Sequence, residues 1–244
     1  MKTLAIYLMA GRETPELAQA AVEGGADLVD AKDPARGALG PVSPEDFGAI
    51  AARVAGRRPV TAALGDAREP FPIETSARSY ATLGASLVKV GFAGVGSLRL
   101  AQRLAMAAVR GARQGHASAR VVLVAYADAP GAVVSPETLL EVASSVGAAG
   151  VLLDTADKRG PRLTELASLA WLTDWVALAQ RRSLLVCLAG RLRAEDLPLV
   201  RRCGADIAGV RGAACEGGRA GRIDAARVRG LRCACEALEA IAQP

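Results

Sequence analysis

The chain has 244 residues, of which 51% are hydrophobic and 3% aromatic, and a formal net charge of +5. This length suits one α/β domain of barrel size, and the abundance of Ala, Val, Leu and Gly favours helix-on-strand packing over a β-sandwich. The basic residues are not clustered with aromatic ones, which argues against nucleic-acid binding, whereas the charge suits an anionic small substrate. The N-terminal apolar run is too short for a signal or membrane segment.

The five cysteines and the single histidine do not form a recognisable metal-binding pattern. An odd number of cysteines in a long chain, without a second ligand pair, is typical of reduced thiols in a cytoplasmic protein. The sequence therefore predicts a cytoplasmic protein with neither a bound metal nor a cofactor.

Eight apolar segments of strand length alternate with helical patterns along the chain. Several helix starts carry a hydroxyl residue followed by proline, which is a common N-terminal signal. The predicted strands are residues 4–9, 26–32, 59–64, 86–90, 121–126, 150–154, 183–189 and 206–210. The predicted helices begin at residues 14, 43, 75, 97, 135, 163, 193 and 224, and the last of them runs to residue 242.

This alternation predicts an α/β fold, a single-domain (β/α)8 TIM barrel covering residues 1–244. A doubly wound open sheet is the alternative. It seldom has eight consecutive units without a glycine-rich nucleotide loop after the first strand, and residues 9–12 (MAGR) do not form such a loop.

Lysine is rare in this chain, with four lysines against 26 arginines. Lys32 ends the second predicted strand, Lys89 lies near the end of the fourth, and Lys158 follows the sixth. A guanidinium group, with a pKa above ~12, can neither attack a carbonyl nor take up a proton, whereas an amine can do both. Drift toward arginine is the alternative explanation, but it would scatter the remaining lysines over helix surfaces. The sequence thus predicts catalytic amines at one end of the barrel.

Aspartates accompany these lysines at the strand ends. Asp30 and Asp154 lie within apolar strand ends, where an unpaired acid is unfavourable, so lysine partners are expected. Asp66 and Asp128 follow the third and fifth strands and are predicted to contact substrate, although each could equally be a turn residue or helix cap. A desolvated lysine with a carboxylate nearby suits imine formation with an aldehyde or ketone.

The last two strands end in small residues. Gly190, Arg211, Gly212 and Ala213 are predicted to bind a phosphate group, because these loops of a barrel often do so through backbone N–H groups. Residues 217–222 (GGRAGR) extend this region as a flexible basic flap. The glycines could also be simple turn residues.

Many ordered motifs resemble those of one known family, the (5-formylfuran-3-yl)methyl phosphate synthases of methanofuran biosynthesis, also called 4-(hydroxymethyl)-2-furancarboxaldehyde phosphate synthases. The motifs are residues 30–34 (DAKDP), 37–40 (GALG), 64–66 (LGD), 88–91 (VKVG), 126–129 (YADA), 153–156 (LDTA), 188–190 (LAG), 209–215 (GVRGAAC) and 221–224 (GRID). The resemblance implies condensation of two glyceraldehyde 3-phosphate molecules into a phosphorylated furan aldehyde, with loss of phosphate and water.

The resemblance also implies roles for individual residues. Lys32 would form the Schiff base, with Lys89, Asp154 and Lys158 as acid, base and pKa-setting partners and Asp30 beside them. Two positions depart from the family pattern, namely Arg191, where a serine is usual, and the end of strand one at residues 8–10. A class I aldolase and a non-catalytic phosphosugar-binding barrel remain alternatives, and a homo-oligomer is left open.

Overall fold

The computed structural model describes residues 3–8, 14–129 and 134–236. The strands are β1 (Thr3–Leu8), β2 (Leu28–Ala31), β3 (Val60–Asp66), β4 (Leu87–Gly91), β5 (Arg120–Tyr126), β6 (Gly150–Asp154), β7 (Leu185–Leu188), β8 (Ile207–Val210), β9 (Cys215–Glu216) and β10 (Arg222–Ile223). The helices are α1 (Thr14–Glu23), α2 (Pro44–Val54), α3 (Pro70–Thr82), α4 (Leu98–Gly115), α5 (Pro136–Val146), α6 (Leu163–Leu166), α7 (Leu169–Arg181), α8 (Leu197–Arg202) and α9 (Ala225–Glu236).

Strands β1 to β8 form one parallel sheet in which each strand pairs with the next along the chain. The sheet curls back on itself, because β8 also pairs in parallel with β1 from Thr3↔Ile207 to Ile6↔Val210. Helices lie between successive strands, as right-handed βα crossovers require. The predicted α/β architecture with a parallel sheet is confirmed.

Alternate residues of each strand pack on opposite sides of the sheet. Val121 and Leu123 belong to the large core between sheet and helices, whereas Val122 and Val124 belong to a smaller cluster inside the curl. This period of two also holds for charged residues. Because the strand neighbours of Asp30, Lys89 and Asp154 all pack in the outer core, these three side chains lie on the inner side.

Serine caps begin several helices where the sequence predicts them. Ser43, Ser97 and Ser135 each accept the backbone N–H of the third residue that follows, which satisfies a donor the helix itself leaves unpaired. None of the described helices has both the length and the apolar character needed to cross a bilayer.

Three predicted helices differ in their bounds. Helix α3 begins at Pro70 rather than at residue 75. Proline suits the first turn of a helix, because the N–H that it lacks would have no partner there. The segment predicted as one helix from residue 163 is split, because Ala167 is extended and Ser168 caps α7. The helix predicted from residue 193 starts as a 3₁₀ turn before α8. Residues 9–12 and the predicted end of the last helix lie outside the described residues.

Candidate active site

The carboxyl ends of β2, β4 and β6 bring together the five residues that the sequence predicts to be catalytic. We call this group the lysine cluster, and it consists of Asp30, Lys32, Lys89, Asp154 and Lys158. Lys32 directly follows β2, and only 1% of its surface is exposed. Asp30 and Asp154 are also 1% exposed, and Lys89 is 5% exposed. So many buried charges require mutual compensation, since an isolated buried charge is strongly unfavourable.

One compensating pair is formed by Asp30 and Lys89. The two side chains form a buried ion pair through Oδ2 of Asp30 and Nζ of Lys89. The hydroxyl of Thr61, which is the neighbour of Asp30 in β3, donates to Oδ1 at 2.5 Å. Both carboxylate oxygens of Asp30 are therefore engaged. Sequence reasoning missed Thr61, although a hydroxyl residue on the inner side of an apolar strand was an available signal.

Asp154 and Lys158 form the second pair, four residues apart in the chain. Nζ of Lys158 donates to Oδ1 of Asp154 at 2.6 Å, and the N–H of Thr155 donates to the same oxygen at 2.8 Å. Burial opposes ionisation of Asp154, but Lys158 and Lys32 outweigh it and hold the pKa of Asp154 below its usual value. Asp154 is thus a carboxylate, and not a carboxylic acid, at neutral pH.

Lys32 interacts electrostatically with both pairs, and its Nζ donates to the carbonyl oxygen of Ala38 at 3.1 Å. The pKa of Lys32 is lowered to about 7, chiefly because burial disfavours the ammonium form. Asp154 opposes this shift, whereas the positive charges of Lys158 and Lys89 reinforce it. A substantial fraction of Lys32 is therefore a neutral, nucleophilic amine near neutral pH.

Asp66 lies at the end of β3 and is tied to neighbouring strands. Its Oδ1 accepts the hydroxyl of Tyr126 at 2.9 Å and the N–H of Ala93 at 3.3 Å. Burial, reinforced by the charge of Asp66, raises the pKa of Tyr126 above its usual value, so the phenol remains a donor. These bonds join β3, β5 and the loop after β4. Direct contact between Asp66 and a substrate stays a prediction.

Asp128 follows β5 and uses both of its oxygens on one loop. Oδ1 accepts the N–H of Ala156 and Oδ2 accepts the N–H of Asp157, each at 2.7 Å. These two residues immediately precede Lys158. Asp128 therefore holds the loop that presents Lys158, and its contact with a substrate also stays a prediction.

A cavity of about 520 Å³ opens next to the lysine cluster. Its walls combine three members of the cluster with the loops that follow β7 and β8. The charged lining residues are Lys32, Asp154, Lys158, Arg191, Arg193, Glu195, Arg211, Arg219 and Arg227. The excess of positive charge favours an anionic ligand, and the volume is typical of small-molecule sites, which span ~300–1,000 Å³.

The four residues predicted to bind phosphate, Gly190, Arg211, Gly212 and Ala213, all line this cavity. Arg211 is nevertheless 3% exposed, and its guanidinium donates to the carbonyl oxygens of Arg219 at 3.1 Å and of Gly221 at 3.4 Å. Burial, together with the charge of Arg219, lowers the pKa of Arg211. Arg211 thus supports the flap, residues 217–222, from inside.

The carboxylates and thiols of the described residues are not clustered for metal binding. No set of three or more His, Cys, Asp or Glu side chains there could hold a metal ion. The polar chemistry of the cavity consists of amines, guanidinium groups and carboxylates.

Comparison with known proteins assigns the chain to a protein family. The sequence model of 4-HFC-P synthase matches residues 8–232. The chain belongs to this family. A putative (5-formylfuran-3-yl)methyl phosphate synthase of Streptomyces griseus is 39% identical over 210 residues, covering 84% of each chain. The (5-formylfuran-3-yl)methyl phosphate synthase of Methanocaldococcus jannaschii is 37% identical over 226 residues, covering 91% of this chain and 96% of that protein. Membership of the 4-HFC-P synthase family indicates an enzyme.

Solved structures support the fold of this family member. KGPDC from Streptococcus mutans has a TM-score of 0.70 at 13% identity and covers 97% of this chain and 98% of that one. A 3-hexulose-6-phosphate synthase has a TM-score of 0.66 at 22% identity, with coverage of 95% and 99%. At such low identities these likenesses show a shared TIM-barrel-like fold alone.

Proposed function

We propose that this member of the 4-HFC-P synthase family condenses two molecules of glyceraldehyde 3-phosphate through a Schiff base on Lys32. The product would be (5-formylfuran-3-yl)methyl phosphate, formed with release of phosphate and water, for the biosynthesis of a methanofuran-type cofactor. The names of the relatives support the product. The scaffold would be a complete (β/α)8 barrel with its reaction at the carboxyl ends of the strands.

The observation that carries this proposal is the state of Lys32. The amine is buried, lies among two cations and two carboxylates, and has a pKa lowered to about 7. In the proposed reaction its neutral Nζ attacks the aldehyde carbon, and the resulting carbinolamine loses water to give an imine. The protonated imine then draws electrons from the adjacent carbon, which loses a proton and becomes a nucleophile toward the second aldehyde. One phosphate and two waters leave as the joined trioses close to the furan ring, and hydrolysis of the imine returns the amine of Lys32.

Asp154 is the proposed base in these proton transfers. Its Oδ2 is buried and has no hydrogen-bond partner within the described residues, whereas its Oδ1 is held by Lys158. A carboxylate with one free oxygen can accept a proton from the substrate, and the ammonium of Lys158 can return one to a leaving hydroxyl. Lys89, fixed by Asp30, contributes positive charge that keeps the pKa of Lys32 low.

The cationic cavity is the proposed binding site for the phosphorylated substrate. Gly190, Gly212 and Ala213 line it beside the lysine cluster, where a phosphate could accept backbone N–H groups. The excess of arginine in the lining supplies charge that complements two phosphorylated substrates.

Borohydride trapping tests the proposal. The protein is incubated with glyceraldehyde 3-phosphate and borohydride, the reduced adduct is mapped by mass spectrometry, and phosphate release and furan absorbance are followed without borohydride. We expect an adduct on Lys32, released phosphate and a furan chromophore. An adduct without phosphate or furan would indicate a class I aldolase, and no adduct would indicate a non-catalytic binding protein.

The matched variant is Lys32→Arg, which keeps the positive charge but cannot form an imine because the guanidinium stays protonated. We expect this variant to fold and to lose both the adduct and turnover. Turnover near the wild-type rate would contradict imine catalysis on Lys32.

A further inference from the structure

Arg191 and Arg219 are two of the arginines that line the cavity. Arg191 follows β7 and Arg219 lies on the flap, and both line the cavity together with Asp154 and Lys158. Within residues 3–8, 14–129 and 134–236, neither guanidinium forms a salt bridge with a carboxylate. Two guanidinium groups that line one cavity without forming an ion pair favour the binding of an anion between them.

Two acids near this pair already form ion pairs with other arginines, whereas Asp157 acts on Arg191, and Asp154 on Arg219, without forming a salt bridge in the described part of the chain. Glu165 forms an ion pair with Arg162 at 2.9 Å, and Glu195 pairs with Arg162 at 3.1 Å and with Arg193 at 3.5 Å. Burial lowers the pKa of Arg219, Asp154 counteracts this, and the charge of Arg191 lowers it further, as expected for two cations that line one cavity.

The backbone holds both arginines in place. Gly190 and Arg191 have consecutive positive φ angles of 106° and 58°, and a non-glycine residue in this left-handed region is uncommon. Such conformations persist where the surrounding structure fixes them, and they cluster at ligand sites. On the flap, the carbonyl of Arg219 accepts a hydrogen bond from buried Arg211 at 3.1 Å. The flap is therefore anchored through the backbone of Arg219, which leaves its side chain for the cavity.

We infer that Arg191 and Arg219 together bind one phosphoryl dianion, which is the phosphate of a phosphorylated triose in the cavity. The inference deepens the proposed function and rests on it for the identity of the ligand. Two guanidinium forks can donate to the three oxygens of one phosphate, so the pair selects phosphate monoesters over neutral aldehydes. The role of Arg211 is then to position the flap, and that of Arg219 is to contact the ligand.

Binding of sn-glycerol 3-phosphate tests this inference, with affinity measured by titration calorimetry. This probe carries a phosphate monoester but no carbonyl, so it cannot form an imine and its binding does not depend on catalysis. The variants are Arg191→Gln, Arg219→Gln and the double variant. Arg103→Gln, an exposed arginine on α4, is the matched control for the loss of one positive charge.

We expect each single cavity variant to bind the probe about tenfold more weakly or worse, and the control to change by no more than about twofold. Because both arginines would hold the same phosphate, the double variant should lose less than the product of the two single effects. Arg191→Lys and Arg219→Lys keep the positive charge but lose the forked guanidinium, so their affinities for the probe should lie between those of the wild type and the Gln variants. Thermal unfolding checks that each variant folds.

The inference would be overturned if each single cavity variant bound the probe as tightly as the control. It would also be overturned if the loss of affinity in the double variant equalled the product of the two single losses. Failure of the proposed reaction is a separate result. In that case Lys32 would not be trapped by borohydride, while glycerol 3-phosphate would still bind through the two arginines.

Discussion

Lys158 contacts only one of the two carboxylate oxygens of Asp154 among the atoms that the structure describes. Nζ of Lys158 lies 2.6 Å from Oδ1 of Asp154, and Oδ2 remains buried without a hydrogen-bond partner among the described residues. A buried acceptor without a donor destabilises the folded state by ~1–3 kcal/mol. The protein keeps this arrangement at the wall of the cavity, next to Lys32. In the proposed reaction this oxygen accepts the proton of a bound substrate.

Asp154 and Lys158 should shift the pKa of Lys32 in opposite directions. Asp154 raises it and Lys158 lowers it, so Asp154→Asn should make Lys32 nucleophilic at lower pH and Lys158→Gln only at higher pH. The measurement is the pH dependence of the rate of borohydride trapping at Lys32. Asp174→Asn, an exposed acid on α7, is the control and should leave the profile unchanged. Shifts of the same sign in the two cluster variants would refute this electrostatic account.

Turnover of Asp154→Asn should fall by about 10²-fold or more, because a proton carrier is lost.

Lys32 should make stability depend on pH in a defined direction. Its pKa is about 7 in the folded chain and 10.5 is the ordinary value, so between these pH values the unfolded chain binds more protons. The free energy of unfolding of the wild type should therefore rise relative to Lys32→Met as pH increases from 7 toward 10, by at most about 1.4 kcal/mol per pH unit. Urea unfolding at pH 6, 7, 8 and 9 (roughly spanning this window) measures the difference. A difference that is constant over the series would mean that Lys32 has no lowered pKa.

Breaking the buried pair of Asp30 and Lys89 should be costly for folding. Lys89→Met leaves Asp30 buried with Thr61 as its one remaining side-chain donor among the described residues, and we expect a loss of about 3–5 kcal/mol in the free energy of unfolding. The double variant Asp30→Asn/Lys89→Met removes both charges and should recover a large part of that loss. Denaturant unfolding of the single and double variants gives the coupling energy. If the two effects simply add, the pair does not act as a compensating unit.

Asp128 should act on catalysis through Lys158. In Asp128→Asn only one side-chain oxygen remains for the two backbone N–H groups of Ala156 and Asp157, so the loop that carries Lys158 loosens. We expect kcat to fall by about tenfold, with little change in KM and a shift of the trapping profile of Lys32 toward higher pH. Steady-state kinetics with the pH profile separates the two possible roles. An increase in KM at unchanged kcat and pH profile would support the direct substrate contact that the sequence suggests for Asp128.

The lysine cluster could be predicted because strand residues follow a period of two. Asp30, Lys89 and Asp154 interrupt apolar strands at positions whose neighbours pack outward, so their inward direction is a local property of the chain. The partners of Asp66 and Asp128 could not be predicted in this way. Their hydrogen bonds go to residues at least 27 positions away, in loops that only the curled sheet brings close.

The sequence by itself determined the alternation of strands and helices, the family, and the group of amines and acids at the strand ends, since each follows from short-range pattern. Only the tertiary structure decided which charges compensate each other and how strongly the pKa of Lys32 is lowered. Burial is the largest cause of that shift, and burial depends on the chain around Lys32 being packed. The tertiary structure also decided that Arg211 forms hydrogen bonds with the flap and that Arg191 and Arg219 line the cavity. Contacts between distant loops are fixed by the fold and not by local sequence.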